Sequence, residues 1–168
     1  MKTCLVGCGG IAAVHGSVLT SGIDTEFVAA ADIKPEKAQS YAENFHTKPY
    51  PSLESMLDAE KPDVLHICTP HYLHVPMTIY ALERNINVFM EKPPAISFYQ
   101  LEELKKAAAK SEAQLGFCYQ NRYNASIRAA KDLIDSGKAG KVLGARAFVT
   151  WCRGAAYYTE SGWRGSLK

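Results

Sequence analysis

The feature of this sequence that most constrains its fold is a regular alternation of short apolar segments with amphipathic ones. Near-continuous apolar segments are typical of strands in a parallel sheet whose two faces are both covered. Alternating strands and helices, joined by right-handed crossovers, predict an α/β fold with a doubly wound parallel sheet. The predicted strands are Thr3–Val6, Glu26–Ala31, Asp63–Cys68, Asn87–Met90 and Gln114–Tyr119.

Helices are predicted between these strands from apolar spacing and from capping residues. Pro35 suits a first helical turn, and Ser52 can cap the helix that follows it. Ser97, with Gln100 three residues later, has the pattern of a capping box and opens another helix. The predicted helices span residues 11–21, 35–45, 52–57, 73–84 and 97–110.

The pattern changes after Tyr119, which predicts a second domain. A helix is expected over residues 124–136, ending at Gly137, followed by a strand over Lys141–Trp151 whose apolar and polar residues alternate. Such alternation is typical of a sheet with one packed face and one wet face. We therefore predict a first domain over residues 1–120 and the opening helix and strand of a second, α+β domain over residues 121–168. This second part reads as truncated, or as pairing its strand with another molecule.

Composition and charge exclude several classes of function. The 168 residues include 19 basic and 17 acidic ones, without a basic run, so no nucleic-acid partner is predicted. No segment approaches the roughly 20 apolar residues that span a bilayer, and a strand begins almost at Met1, so neither a membrane partner nor a signal peptide is predicted. The five cysteines form no CxxC pair. This predicts free thiols in a cytoplasmic protein without a metal site.

The first strand is followed by Gly7-x-Gly9-x-x-Ala12, the spacing of a dinucleotide-binding turn. Gly7 permits a tight turn, Gly9 lets a pyrophosphate approach the backbone, and Ala12 allows close packing of helix on strand. Asp32 ends the second strand, where a carboxylate binds the adenosine ribose and repels a 2′-phosphate. NAD(H) is therefore favoured over NADP(H), although Lys34 could soften the preference. The alternative for Asp32 is an acidic residue at a helix start.

Two further segments follow predicted strands at the same edge of the sheet. Thr69 and Pro70, with His74 four residues on, form a loop that can lie along a cofactor; taken alone, His74 could equally be a capping or surface histidine. In Glu91-Lys92-Pro93, an ammonium at a strand end can hydrogen-bond a substrate hydroxyl. Alone, Lys92 could equally be a surface lysine in a salt bridge. A cis peptide bond is expected between Lys92 and Pro93.

Taken together, these motifs resemble the Gfo/Idh/MocA oxidoreductases, the glucose–fructose oxidoreductase and inositol dehydrogenase family. The matching segments run in order along the whole chain, and the EKP and WRG motifs are fairly specific. They are GCGGIAAVH, the strand ending at Asp32, CTPHYLH, MEKPPAIS, QNRYN and YYTESGWRG. The resemblance implies an N-terminal Rossmann domain and a C-terminal domain built on a large open sheet, with Ala12 standing where glycine is frequent.

The resemblance also implies roles for individual residues. Lys92 is the implied catalytic residue and, with Arg122, contacts substrate; no metal is implied. The implied cofactor-binding residues are Gly7, Gly9, Gly10, Ile11, Ala12, Asp32, Thr69, Pro70, His74, Glu91, Lys92, Pro93, Trp163 and Arg164. The implied reaction is NAD(H)-dependent hydride transfer to or from a secondary alcohol of a sugar, sugar derivative or polyol, in a homo-oligomer.

One departure from the family pattern bears on activity. The family's glycine-rich GGGxLxxxGxHxxD segment, which carries the usual acid/base histidine, does not occur in these 168 residues. The resemblance therefore implies a cofactor-binding portion with little or no turnover alone. One alternative is a non-catalytic, dinucleotide-binding regulatory module. Another is a methyltransferase that binds S-adenosylmethionine, in which the EKP and WRG segments would have no role.

Overall fold

The computed structural model describes residues 1–22, 24–159 and 162–165, and its first part is built on one parallel sheet. The strands are β1 (Lys2–Val6), β2 (Glu26–Ala31), β3 (Lys48–Tyr50), β4 (Val64–Ile67), β5 (Asn87–Glu91) and β6 (Leu115–Cys118). Their order in the sheet is β3-β2-β1-β4-β5-β6, with every neighbouring pair parallel. This is the doubly wound order of dinucleotide-binding domains, and the predicted fold class is confirmed.

The helices begin where the sequence places capping residues. Ser52 Oγ accepts from the Ser55 amide at 3.1 Å, and Ser97 Oγ accepts from the Gln100 amide at 3.2 Å. One turn of 3₁₀-helix, His71–Leu73, precedes the fourth helix, and another, Gln120–Tyr123, precedes the sixth. The helices are α1 (Gly10–Ser21), α2 (Pro35–Phe45), α3 (Leu53–Glu60), α4 (His74–Leu82), α5 (Phe98–Lys110), α6 (Ala125–Asp135) and α7 (Ala155–Thr159).

The sheet is covered by helices on both faces because alternate strand residues point to opposite sides. On one face, Val6, Ala31 and Ile67 lie in a buried cluster with residues of α3, α4 and α5. On the other face, Leu5 and Ala30 pack with residues of α1 and α2. The residues of both clusters lie between positions 4 and 117, so the hydrophobic core belongs to the first part of the chain.

Two sequence expectations about strands were wrong. β3 was not predicted, because it is only three residues long and contains Pro49, which a strand tolerates at a sheet edge. The strand expected over Lys141–Trp151 is absent: residues 142–154 form neither helix nor strand. A strand needs a hydrogen-bonded neighbouring strand, and no strand in the described part of the chain pairs with this segment.

The chain divides into two compact units, the first over Met1–Cys118 and the second beginning at Tyr119. In the second unit, none of residues 119–159 is buried. No disulfide joins the five cysteines, all of which lie among the described residues. Among the described residues, no helix is both long and apolar enough to cross a membrane.

Candidate functional site

The candidate site lies at the carboxyl edge of the sheet, beside the point where the strand order reverses between β1 and β4. In doubly wound sheets, ligands bind in the crevice outside this point. The segments that follow β1, β2, β4 and β5 carry Gly7–Ala12, Asp32, Thr69–Pro70 and Lys92–Pro93. The topology therefore brings the predicted cofactor-binding segments of the first unit to one edge.

Gly7 makes the turn that leaves β1. Its φ of +92° lies in the region that favours glycine, and its amide donates to the Ala31 carbonyl at 2.8 Å. A Cβ at this position would lie 2.8 Å from the Cys68 carbonyl carbon and from the Thr69 nitrogen. The close approach of the β1 and β4 loops therefore requires glycine.

Gly9 and Gly10 differ from Gly7, because the fold itself does not require glycine at either position. A Cβ on either residue would meet nothing within 4 Å, and Gly9 has an ordinary extended conformation. Gly9 is the N-cap of α1, where no side chain caps the first turn and no acidic residue lies in it. The start of α1 is therefore an uncapped, positively polarised helix end beside open space, a ready site for an anion.

Asp32 connects the end of β2 to the glycine turn. Its Oδ2 accepts from the Cys8 amide and its Oδ1 from the Lys34 amide, both at 2.9 Å. A carboxylate has about four acceptor positions, so each oxygen keeps a further one for another donor. The side chain is half-buried, and it can hold the turn and accept from a ligand at the same time.

Burial, reinforced by the Asp32 charge, raises the pKa of the adjacent Cys8 thiol to about 12. The Cys8 side chain therefore stays protonated at neutral pH and is not a nucleophile.

His74 joins the loop after β4 to the loop after β5. The side chain is fully buried, with Nδ1 2.8 Å from the Pro93 carbonyl oxygen and Nε2 3.0 Å from the Thr69 carbonyl oxygen. Its direct contact with a cofactor stays a prediction. Thr69 Oγ1 is buried and has no hydrogen-bond partner among the described residues, so it is available to a ligand.

Lys92 is exposed directly after β5, and the Lys92–Pro93 peptide bond is cis, as predicted. Its ammonium forms no hydrogen bond with the described part of the chain, whereas its backbone amide donates to Glu91 Oε2 at 3.2 Å. Glu91 is buried, and its Oε1 lies 3.1 Å from His15 Nε2. A direct contact between Glu91 and a cofactor stays a prediction.

His15 and His66 have no role predicted from the sequence, although they lie beneath the site. Their Nδ1 atoms are 2.9 Å apart, with their rings edge to face. Burial, with a smaller contribution from His15, lowers the pKa of His66 to about 4, so this ring is neutral at pH 7. The available signal was a histidine in the first helix and another within a buried strand, which alone indicates no partner.

The remaining predicted site residues belong to the second unit. Arg122 lies exposed in the 3₁₀ turn before α6. The Arg164 guanidinium lies 4.2 Å from the centre of the Tyr157 ring and 5.7 Å from that of Trp163. The contacts predicted for Arg122, Trp163 and Arg164 with substrate or cofactor stay predictions.

Comparison with known proteins identifies a family for the first unit. Residues 1–119 match the family model GFO_IDH_MocA, described as an oxidoreductase family with an NAD-binding Rossmann fold. Among curated proteins, the D-glucoside 3-dehydrogenase of Escherichia coli is 29% identical over 165 residues, which cover 97% of this chain and 46% of the enzyme.

Solved structures with the same fold include complexes with a dinucleotide. The WlbA dehydrogenase of Chromobacterium violaceum, in complex with NADH and UDP-GlcNAcA, is 31% identical with a TM-score of 0.90, over 99% of this chain and 48% of that one. The myo-inositol 2-dehydrogenase of Lactobacillus plantarum is 28% identical with a TM-score of 0.78, over 84% of this chain and 43% of that one. The present chain thus spans about half the length of these relatives.

Proposed function

Because the chain belongs to the Gfo/Idh/MocA family of NAD-binding oxidoreductases, we propose that it is the NAD(H)-binding portion of a sugar or polyol dehydrogenase. The observation that carries this proposal is the glycine turn. Gly9 and Gly10 border open space at the uncapped start of α1, so their lack of side chains serves a ligand rather than the fold. A pyrophosphate is the group that this arrangement fits.

Other groups at this edge of the sheet also favour the binding of a dinucleotide. Thr69 Oγ1 is a buried hydroxyl without a protein partner, as expected of a group that pairs with a ligand. Gly7 and Ala12 shape the turn, whereas Gly9, Gly10 and Ile11 present the first amides of α1. Pro70, His74 and Pro93 order the two loops beside Thr69 and Lys92.

Asp32 supports NAD(H) over NADP(H). Its carboxylate stands at the end of β2, where it can accept from two ribose hydroxyls while it keeps its bonds to the Cys8 and Lys34 amides. A 2′-phosphate in the same place would meet a negative charge in a half-buried setting, which costs binding free energy.

The Lys92 ammonium supports the oxidoreductase part of the proposal. When bound, a nicotinamide ring supplies or accepts the hydride at its C4. Lys92 would donate a hydrogen bond to the reacting hydroxyl of the substrate and stabilise the negative charge that develops on that oxygen. Arg122, Trp163 and Arg164 would contribute from the second unit, in a homo-oligomer whose substrate is a sugar, sugar derivative or polyol.

A fluorescence titration of the 168-residue chain with NADH and with NADPH tests the cofactor. We expect saturable binding of both, with NADH tighter. Asp32→Ala should lower the affinity for NADH by about tenfold, the factor for one or two lost hydrogen bonds. It should leave the affinity for NADPH unchanged or higher. Equal weakening of both would mean that Asp32 only holds the turn, and saturation with neither would overturn the proposal.

Asp63→Ala is the matched control for this titration. Its carboxylate also accepts from a backbone amide, that of Lys2 at 2.7 Å, but it lies at the opposite edge of the sheet. We expect Asp63→Ala to leave the affinities for both dinucleotides unchanged.

On the proposal that the chain is part of a sugar or polyol dehydrogenase, the reaction is tested in that whole enzyme. Lys92→Met should lower kcat by about 100-fold, the usual contribution of a positioned proton donor, with NADH affinity largely retained. An unchanged kcat would remove Lys92 from the chemistry.

A further inference from the structure

A cluster of three polar side chains, two of them buried, lies next to the Lys92 turn. We propose that His15 and Glu91, backed by His66, are positioning residues that fix the Lys92 backbone relative to the start of α1. This proposal rests on the proposed function, because it assumes that Lys92 must meet a substrate beside a cofactor bound at α1. The three side chains are called the His–Glu cluster below.

The two oxygens of Glu91 point to different parts of the site. Oε1 lies 3.1 Å from His15 Nε2 on α1, and Oε2 accepts from the Lys92 amide at 3.2 Å. Both Glu91 and His15 are buried, with side chains only 6% exposed. The carboxylate therefore links the helix that begins at the glycine turn to the residue that carries the ammonium.

The Glu91 carboxylate is held in its charged form. Burial alone would raise the pKa of Glu91, but hydrogen bonds from His15 and from the Cys118 thiol outweigh it and bring the pKa below its usual value. A charged carboxylate accepts on both oxygens at once, which the link between α1 and Lys92 requires. Removal of the His15 donor leaves a buried acceptor unsatisfied, so the turn must rearrange.

His66 fixes the orientation of His15. Because His66 is neutral at pH 7, one Nδ1 of the pair donates and the other accepts across the 2.9 Å contact. Either His66 donates to a neutral His15, or a charged His15 donates to His66. In both arrangements His15 Nε2 keeps its proton and donates to Glu91. The hydrogen bond from the Lys92 amide to Glu91 therefore does not depend on which arrangement is present.

The alternative interpretation is that the same atoms bind a metal ion. One ligand atom each from His15, Glu91 and Cys118 lie within 4.8 Å of one another, and a histidine, a carboxylate and a thiolate are ligands that zinc accepts. Hydrogen bonds already satisfy the facing atoms of His15 and Glu91. The facing atoms of the His–Glu cluster therefore have hydrogen-bond partners without an ion. The test must distinguish this arrangement from zinc binding.

Hydrogen exchange of the Lys92 amide, measured by NMR without any dinucleotide, tests the proposal. Labelling glutamate with ¹³C at the carbonyl and lysine with ¹⁵N selects three amides, those of Lys37, Lys61 and Lys92. The Lys37 amide serves as the internal reference in every variant, and the Lys61 amide, next to Glu60, serves only in the variants of His15. In His15→Leu, the Lys92 amide should exchange about tenfold faster, the factor for one lost hydrogen bond, with a changed chemical shift.

Two further variants separate positioning from general stability. His15→Gln carries an amide that can donate in place of Nε2, so it should restore slow exchange at Lys92. Tyr50→Phe removes a hydrogen bond from another buried glutamate, Glu60, outside this site, so it should leave the Lys92 amide unchanged. Equal exchange at Lys92 in His15→Leu and Tyr50→Phe would overturn the proposal, as would failure of His15→Gln to restore it.

Zinc binding is measured on the same wild-type sample. If the wild type bound one equivalent of zinc and both His15→Leu and Cys118→Ser lost this binding, the proposal that hydrogen bonds hold the cluster would be overturned. Failure of the chain to bind NADH would count against the proposed function only, because exchange at Lys92 is measured without a dinucleotide.

Discussion

At the scale of single residues, the glycines of the turn have separate tasks that their spacing alone does not distinguish. Gly7 has a positive φ and touches the backbone of the neighbouring loop, whereas Gly9 has an ordinary backbone and borders open space. The sequence pattern predicted both as parts of one site. Only the geometry shows that the fold requires glycine at position 7 and not at position 9, which supports the ligand contact proposed for Gly9.

Alanine at each position is expected to separate the two tasks. Gly7→Ala should lower the free energy of unfolding by at least about 2 kcal/mol, because the new Cβ meets two backbone atoms at 2.8 Å in a strained conformation. Gly9→Ala should change it by less than about 1 kcal/mol, since a poorer N-cap is offset by lower entropy of the unfolded chain. Urea unfolding measures both.

The dinucleotide affinities complete this comparison. Gly9→Ala should weaken NADH by about tenfold or more, since a methyl group then occupies the space where the pyrophosphate approaches the backbone. A Gly9→Ala chain that is stable and binds NADH normally would contradict the assignment of Gly9 to the ligand.

At the scale of helices and strands, the sequence was most informative where a segment carries its own start signal. Ser52, Ser97 and Pro35 each stand at the predicted helix start, because capping and proline geometry are local properties. β3 and the segment 141–151 were misassigned because strand formation depends on a neighbour. β3 finds one in β2 despite Pro49, and residues 141–151 find none in the described structure.

Glu60, at the end of α3, ties that helix to two strands. Its carboxylate accepts from Lys48 Nζ at 2.8 Å and from Tyr50 Oη at 2.6 Å, both on β3, and lies 3.0 Å from Lys2 Nζ on β1. The hydrogen bond from Lys48, followed by that from Tyr50, lowers the pKa of Glu60 to about 2. A carboxyl whose pKa is depressed on folding stabilises the folded state at neutral pH.

The pH dependence of unfolding tests this role. Glu60 should contribute fully above pH 5, and its contribution should disappear as the pH falls from about 4.5 towards 2. Glu60→Gln should therefore destabilise the chain at pH 7 and reduce the loss of stability in acid. Urea midpoints between pH 7 and pH 3 measure this.

Glu102→Gln is the control, because Glu102 also pairs with a lysine but is 58% exposed. It should leave the urea midpoints nearly unchanged. If Glu60→Gln and wild type lost stability in parallel on acidification, the assigned role of Glu60 would be wrong.

At the scale of the whole molecule, the sequence predicted the parallel sheet and the edge of it that carries the candidate site. Both predictions follow from the buried apolar strands and from the loops that follow successive strands at the same edge of the sheet. The partners of buried polar groups were not predictable, because they are set by packing between distant elements. His15 meets Glu91 across 76 positions of sequence, and His74 meets Pro93 across 19.

The two units differ in how they bury apolar surface, which predicts different behaviour in solution. The buried core lies within residues 4–117, whereas Leu143, Phe148 and Trp151 are 90%, 89% and 67% exposed. Clustered exposed apolar side chains favour association between molecules. The 168-residue chain is therefore expected to show a mass that rises with concentration in light scattering, and a chain ending at Gln120 is expected to stay monomeric.

Unfolding and binding measured on the same samples decide what residues 121–168 contribute. Since the core and the glycine turn lie before Gln120, the shortened chain should keep the same thermal midpoint and should still bind NADH, more weakly by the contacts proposed for Trp163 and Arg164. A full-length variant with serine at positions 143, 148 and 151 should lose association in the same way, because it removes apolar surface without removing chain. If the shortened chain failed to fold, residues 121–168 would be needed for the stability of the first unit. If the serine variant associated as before, the association would not arise from these three side chains.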